Sequence, residues 1–349
     1  MLTKKQISEI REHLEKAQNP VFFYDNDADG LCSFLIFRRF IGRGKGVAVR
    51  SYPDLNVQYA KRAQELNADY VFVLDKPVIS KEFVEELDKM QIPFVWIDHH
   101  LIDNDFKEFS NVHIYNPTRN TGKNKSEEPV SYLAYRTTGR EEDLWISMMG
   151  CIADHYLPDF ASDFKEKYPD FWGNVKKPFD AYYKTEIGRI AMSLNFGLKD
   201  SLTHVVHLQN FLITCRGPVE VLSELSTNIS FREKYHEIKK KYDSLIFEAG
   251  KEISGQIIFF TYGGEMSISA DLSNELSYLH PEKFIAVAYT KGAISNVSMR
   301  GKNVKSILEK LLKQFPSASG GGHRDAVGAR IKTEDLTKFR EAFELETGK

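Results

Sequence analysis

Short apolar runs at residues 21–24, 47–49, 70–74 and 94–97 alternate with longer stretches whose apolar positions recur at helical spacing. The length of the runs and their β-branched and aromatic content predict buried strands. The intervening segments 31–41, 57–66 and 80–90 read as helices, the last with Ser80 as N-cap. Strand and helix in alternation predict an α/β fold with a doubly wound, largely parallel sheet. A short amphipathic opening built on Ile7, Ile10 and Leu14 precedes it. Helical patterning resumes at 129–138 and 141–153, after a loop at 116–128 that holds Pro117, Gly122 and mixed charges. Residues 156–215, rich in Pro, Phe, Tyr and Lys, read as mostly helical.

The pattern then changes. Residues 231–251 carry Arg232, Glu233, Lys234, Glu237, Lys239, Lys240 and Lys241 with sparse apolar positions, which predicts a long exposed helix joining two domains. Beyond it, strands are expected at 256–262, 284–289 and 293–299, around a helix at 272–279. Val304, Ile307, Leu308, Leu311, Leu312 and Phe315 then share one helical face, and a glycine run ends that helix. The expected organisation is a first domain over 1–200 with a dinuclear metal site, a helical connector over 201–252, and a smaller α/β domain over 253–349 that binds substrate.

With 349 residues the chain is long enough for two cores. Its net charge of −2 neither demands nor excludes nucleic acid, because a basic groove can sit inside a neutral total. Cys32, Cys151 and Cys215 form no CxxC pair, which argues against a thiolate zinc site or a disulfide framework and for a reducing compartment. No apolar run approaches the ~20 residues of a membrane span. The expected location is the cytoplasm.

The chemistry concentrates where the strands end. Asp25-Asn26-Asp27-Ala28-Asp29-Gly30 follows the first run, Asp75 the third, and Asp98-His99-His100 the fourth. In open α/β sheets ligands bind beyond the carboxyl ends of the strands. Several carboxylates in one crevice repel one another unless a cation neutralises them or protons bind. Carboxylate and imidazole without thiolate favour Mn²⁺ or Mg²⁺ over structural zinc. Two such ions ~3.5–4 Å apart can bind a phosphoryl oxygen, activate water and stabilise a leaving oxygen. His99 reads as a ligand, Asp98 as the group that orients an imidazole, and His100 as available to a phosphate. The Asp-x-Asp-x-Asp-Gly stretch also resembles a calcium loop, but Ile36 stands where that loop needs Glu. Asp25, Asp27 and Asp29 alternate along the chain, so a turn must begin within the motif, with Gly30 supplying freedom for it. Taken singly, Asp75 is as much a helix cap as a ligand, and Asp154-His155 is a helix end.

A second cluster lies in the C-terminal part. Gly320-Gly321-Gly322-His323 leaves backbone N–H groups bare for an anion, and Ser298-Met299-Arg300 offers a hydroxyl and a guanidinium. Only one amphipathic helix lies between them, so they are expected to face one pocket.

Together these motifs resemble the DHH phosphoesterase superfamily, in the branch that carries the DHH-associated C-terminal domain. The likeness rests on 24–33, 74–75, 97–100, 151–154, and 298–300 with 320–328, in the family's order. It implies two domains flanking a cleft, two divalent cations (Mn²⁺ first, Mg²⁺ or Co²⁺ as alternatives) and hydrolysis of phosphate esters. By position it makes Asp27, Asp29, Asp75, His99 and Asp154 metal ligands, with Asp75 bridging, and His100 with Asp98 the catalytic pair. It makes Ser298, Arg300, Gly320, Gly321, Gly322 and His323 the substrate-phosphate contacts. Many relatives carry a histidine ligand a few residues before the Asp-x-Asp pair. Here Phe23, Tyr24 and Asp25 fill that stretch, and Asp25 takes the ligand's place as in aspartate-rich RecJ-type motifs.

Within the superfamily the chain looks most like RecJ-like nucleases, archaeal ones included. The leading expectation is an exonuclease on single-stranded DNA or RNA that releases nucleoside 5′-monophosphates, with replication or repair proteins as possible partners. The alternatives are a phosphodiesterase or phosphatase for short oligoribonucleotides, cyclic dinucleotides or 3′-phosphoadenosine 5′-phosphate, and a replication-associated binding module.

Overall fold

The computed structural model describes residues 1–50, 55–102 and 104–348, and the chain divides into two compact units, Met1–Tyr235 and His236–Lys349. The first opens with α1 (Lys4–Lys16), capped by a reciprocal Thr3–Gln6 box. There follow β1 (Pro20–Asp25), α2 (Ala28–Ile41), β2 (Lys45–Val49), α3 (Val57–Glu65), β3 (Tyr70–Leu74), α4 (Lys81–Lys89), β4 (Phe94–Ile97) and β5 (Val112–Tyr115). Helices α5 (Val130–Thr138), α6 (Leu144–Ala153), α7 (Ala161–Lys167), α8 (Pro178–Lys184), α9 (Glu186–Gly197) and α10 (Leu202–Thr214) complete it. Ser80 caps α4 as its sequence predicts, its side chain accepting from Phe83 N at 3.3 Å. Strand β5 escapes the apolar pattern because its edge residues Val112, His113 and Ile114 are only half-buried.

All five strands run parallel in the order β2-β1-β3-β4-β5. Alternate residues serve opposite faces. Val21, Phe23, Val71, Val73, Phe94 and Trp96 pack with Phe83, Val84 and Leu87 of α4, whereas Phe22 stacks on Phe72 at 4.9 Å and Tyr24 on Phe34 of α2 at 5.4 Å. The sheet is thus covered on both sides, the condition of a doubly wound fold. Strand order reverses between β1 and β3, and the crevice beyond the strand ends at such a switch point is the ligand position of this architecture. Tyr24 pairs with Leu74, so Asp25 and Asp75 leave the sheet side by side.

Helix α11 (Ile229–Lys251) spans the boundary between the units. The second unit contains β6 (Ile253–Ser254), β7 (Ile257–Gly263), α12 (Ser269–Leu279), β8 (Phe284–Lys291), β9 (Ile294–Arg300), α13 (Val304–Gln314), β10 (Ser319–His323), β11 (Ala326–Lys332) and α14 (Leu336–Thr347). Its mixed sheet has the order β10-β11-β9-β8-β7-β6, with β7 and β8 parallel and the other pairs antiparallel. Phe259, Met299, Leu308, Phe339 and Phe343 centre its core.

The glycine run after α13 forms an edge strand, paired along its length with β11. A Cβ on Gly320 would meet Gly328 O at 2.5 Å and one on Gly322 would meet Ala326 O at 2.5 Å, whereas one on Gly321 would meet nothing. Close strand pairing, together with a φ of +141° at Gly322, explains two of the three glycines.

Candidate metal centre

The switch-point crevice receives side chains from four places. Asp25 ends β1, and its backbone accepts Asp27 N at 2.8 Å, so the chain turns at Asn26. Asp27 is the N-cap of α2 and accepts Gly30 N at 2.9 Å. Gly30 itself is helical. It is required because a Cβ there would lie 2.5 Å from Asp25 O, so its role is close approach rather than the turn assigned to it from sequence. Asn195 Oδ1 accepts Ala28 N at 2.8 Å, which braces the turn from α9.

Asp75 follows β3 with a left-handed φ of +58°, a conformation unfavourable for a residue other than glycine and a mark of strain at functional sites. After β4, Asp98 Oδ1 accepts His100 N at 2.6 Å and lies 3.1 Å from His100 Nδ1. Asp154 is the C-cap of α6. His99 Nε2 sits 3.4 Å from Asp75 Oδ1 and 3.6 Å from Asp154 Oδ2, and His100 Nδ1 lies 3.7 Å from Asp75 Oδ1. One ligand atom from each of Asp75, His99 and His100 falls within 4.8 Å of the others. His99 Nδ1 faces the Glu127 carbonyl at 3.1 Å, which makes Nε2 the nitrogen turned to the carboxylates.

Asp29 takes a different course. It is buried in α2, and its Oδ2 accepts Val130 N at 2.8 Å while its Oδ1 accepts Ser131 N at 3.0 Å and the Ser131 hydroxyl. The three aspartates of one motif therefore serve three partners: Asp25 faces Lys76, Asp27 caps its own helix, and Asp29 holds the start of α5.

The electrostatics fit a cation. Asp75 and Asp98 are at most 3% exposed, and among the described residues Asp75 Oδ1 and Asp98 Oδ2 have no hydrogen-bond donor, which is costly for a buried carboxylate. Burial, reinforced by the neighbouring carboxylates, pushes the Asp27 and Asp75 carboxyls well above the usual range. Asp154 is raised as well, mainly by burial and against the pull of His99. Burial alone would lower His100, but its hydrogen bond to Asp98 and the surrounding carboxylates raise it to about 9. Oxygen and imidazole donors with an orphaned buried oxygen suit a divalent ion such as Mn²⁺ or Mg²⁺.

Several residues here were not foreseen. Lys76, with a side chain 7% exposed, places Nζ 3.0 Å from Asp25 Oδ1, and its adjacency to Asp75 was the available signal. A cavity of about 310 Å³ beside Asp25 is lined by Arg50, Lys76 and Lys199 among others. Asn116 Nδ2 donates to the His100 carbonyl at 2.8 Å, fixing the backbone of the Asp-His-His turn. In the second unit, Ser298 Oγ lies 3.0 Å from Ser269 Oγ, and Arg300 Nε donates to Asn274 Oδ1 at 2.6 Å. Gly320, Gly321, Gly322 and His323 lie exposed on β10.

Residues 21–154 match the DHH family, N-terminal domain, and residues 254–348 match the DHHA1 domain. The chain belongs to the DHH family. It is a DHH phosphoesterase with a C-terminal DHHA1 domain, and so falls among the hydrolases of phosphate esters. No curated protein matches it at a significant level. Among solved structures it is similar to RecJ of Thermus thermophilus in complex with Mn²⁺, at 12% identity over 99% of this chain and 54% of that one, with a TM-score of 0.65. It is also similar to a pGpG-specific phosphodiesterase from Vibrio cholerae (12% identity, 95% of this chain, 99% of that one, TM-score 0.52). An exopolyphosphatase-related protein from Bacteroides fragilis is a third likeness (14% identity, 100% of this chain, 98% of that one, TM-score 0.52). These likenesses concern the fold, and the chain spans only about half of the Thermus RecJ chain. No helix among the described residues is long and apolar enough to cross a membrane.

Proposed function

We propose that this DHH phosphoesterase is a divalent-metal-dependent exonuclease that releases nucleoside 5′-monophosphates from single-stranded DNA or RNA. The observation that carries the reading is the convergence of buried, mutually repelling carboxylates with His99 and His100 at the switch point of the parallel sheet. Asp25, Asp27, Asp29, Asp75, His99 and Asp154 would hold the ions, Asp75 between them, with Mn²⁺ ahead of Mg²⁺ and Co²⁺. When bound, such ions neutralise phosphoryl oxygens and make water a better nucleophile.

The chain's own groups do the rest. Asp98 fixes the His100 ring through Nδ1 and its backbone through the amide, so Nε2 is the atom for a phosphate or leaving oxygen. Lys76 holds Asp25 in place, and Arg50 and Lys199 line a cavity suited to a neighbouring phosphate. Within the second unit, Ser298, Arg300 and the β10 backbone with His323 would bind a phosphate. Asn274 and Ser269 on α12 orient Arg300 and Ser298 for this task. Three buried free thiols fit a reducing compartment such as the cytoplasm.

A second reading, a phosphodiesterase for oligonucleotides of a few residues, is favoured by the net charge of −2 and by a cavity of about 310 Å³, the size of a small-ligand site. Purified protein with Mn²⁺, incubated with end-labelled single strands from dinucleotides to long oligomers beside Asp75→Asn, separates the two. Stepwise release of mononucleotides from long strands, absent in the variant, supports the exonuclease, whose affinity should fall steeply with salt. Turnover restricted to the shortest species moves the assignment to the second reading. Equal turnover by the variant removes the metal-centre reading altogether.

A further inference from the structure

Helix α6 ends beyond Asp154 in a paired turn: His155 N donates to Ile152 O at 3.1 Å and Tyr156 N to Cys151 O at 2.8 Å. The residue after the cap of such a turn takes a left-handed conformation, which favours glycine. His155 holds it instead, with a φ of +54°, and so bears a steric cost. Its ring has a definite use. It lies face-on to Phe179, with centroids 4.1 Å apart and planes 19° apart, and meets Tyr182 edge-on at 5.5 Å.

Both of those residues belong to α8. Asp180, Ala181 and Tyr182 are its buried positions. Phe179 and Tyr183, four residues apart and so on one helical face, are half-buried. Their rings are nearly parallel, at 14° with centroids 6.1 Å apart, and Tyr183 also lies 6.3 Å from His155. Three rings from two segments thus form one partly exposed aromatic surface. Two connections place it beside the crevice. His155 directly follows Asp154, and the Tyr182 hydroxyl accepts Asn195 Nδ2 at 3.0 Å while Asn195 Oδ1 accepts the amide of Ala28, between Asp27 and Asp29, at 2.8 Å. Lys176, Lys177 and Lys184 flank the rings and are exposed, Lys184 pairing with Asp180 at 3.0 Å. Rings interleaved with lysines are what single-stranded nucleic acid requires, the rings stacking on bases and the ammonium groups drawing in the backbone.

We propose that Phe179 and Tyr183, backed by His155, form a stacking platform for a nucleobase of the strand whose phosphate enters the crevice. This rests on the nucleotide reading of the metal centre and narrows it. A phosphate chain without bases, such as inorganic polyphosphate, gains nothing from the platform. Every base has a stacking face, so the platform serves purines and pyrimidines alike.

The test compares the affinity of the full chain, in Mg²⁺, for dye-labelled single strands with phosphorothioate linkages, which resist hydrolysis. One strand carries all its bases and its partners are abasic at the first or the last nucleotides. Fluorescence anisotropy should show wild type binding the complete strand about fivefold to a hundredfold more tightly than one of the abasic strands. Phe179→Leu, which keeps an apolar side chain and removes the ring, should bind the complete strand more weakly and lose most of that preference. Tyr183→Leu should do the same to a smaller degree, and carries the test if Phe179→Leu does not fold. Equal affinity of wild type for complete and abasic strands, or binding of neither, would overturn the proposal, as would an undiminished preference in the folded variants. Turnover of unmodified strands is scored separately. Hydrolysis without a base preference leaves the exonuclease reading and removes the platform, whereas a base preference lost in Phe179→Leu without hydrolysis leaves the platform and removes the exonuclease.

Discussion

The crevice of the first unit and the glycine edge of the second, the two regions proposed to meet phosphate, are built in opposite ways. The first gathers Asp25, Asp27, Asp75, Asp98, His99 and Asp154 into a space where Asp75 and Asp98 are almost sealed from water. Ionised, they repel one another, and two of their oxygens have no donor among the described residues. The second lays Gly320 to His323 along an exposed edge strand, with Arg300 of β9 held by Asn274. A buried charged cluster stores unfavourable energy that a cation relieves. An exposed edge stores none. The difference teaches that perturbed carboxyl pKa values point to the reacting centre, and an unshielded backbone edge to recognition.

The contrast breaks most readily at Asp75. Asp75→Asn should lower hydrolysis on the order of 10³-fold, because it removes the proposed bridging ligand. The same change should raise the melting temperature of the metal-free protein, because it removes a buried carboxyl whose ionised form burial and the neighbouring carboxylates oppose. A metal-free melting temperature that falls instead would mean the cluster is structural. Arg300→Gln sharpens the other side. It should raise KM and cut kcat/KM by roughly tenfold to a hundredfold, with melting unchanged, as loss of a charge-assisted phosphate contact predicts.

A backbone test follows. Gly322→Ala should cost about 1–3 kcal/mol through its clash with the Ala326 carbonyl, whereas Gly321→Ala should leave urea unfolding where it is. Equal effects at both positions would show that strand pairing is not what Gly322 serves.

The smallest effect lies outside both regions. His13 packs among His113, Tyr70 and Tyr115, and burial, with the His113 and Lys16 charges, lowers it to about 4. Its unfolded value is near 6.5, so the neutral ring stabilises the fold above that pH and the contribution is lost as pH falls towards 4. Unfolding midpoints measured on either side of that window should drop more in wild type than in His13→Gln.

How much of this could be read from residues alone differs between the two regions for the same physical reason. Strands β1, β3 and β4 are buried on both faces, so their apolar runs and the charged residues that end them stand out in the chain. Strand β5 and strands β10 and β11 are edge or half-exposed and carry little apolar signal, which hid all three. At the site, adjacency to a strand end found Asp25, Asp75, Asp98, His99 and His100. It missed Lys76, whose charge reads as an ordinary surface lysine, and it could not see the Glu127 carbonyl, since backbone groups leave no mark in a sequence. Asp29 shares a motif with Asp25 and Asp27, and only its contacts with Val130 and Ser131 separate it from them.

The central claim is that the crevice is a divalent-metal centre. Titration calorimetry of Mn²⁺ into the metal-free protein, wild type beside Asp75→Asn, tests it without any assumption about substrate. The account predicts saturable binding of two ions by wild type and loss of both or all but weak binding in the variant. Absence of binding by wild type, or identical isotherms for the two proteins, would contradict it.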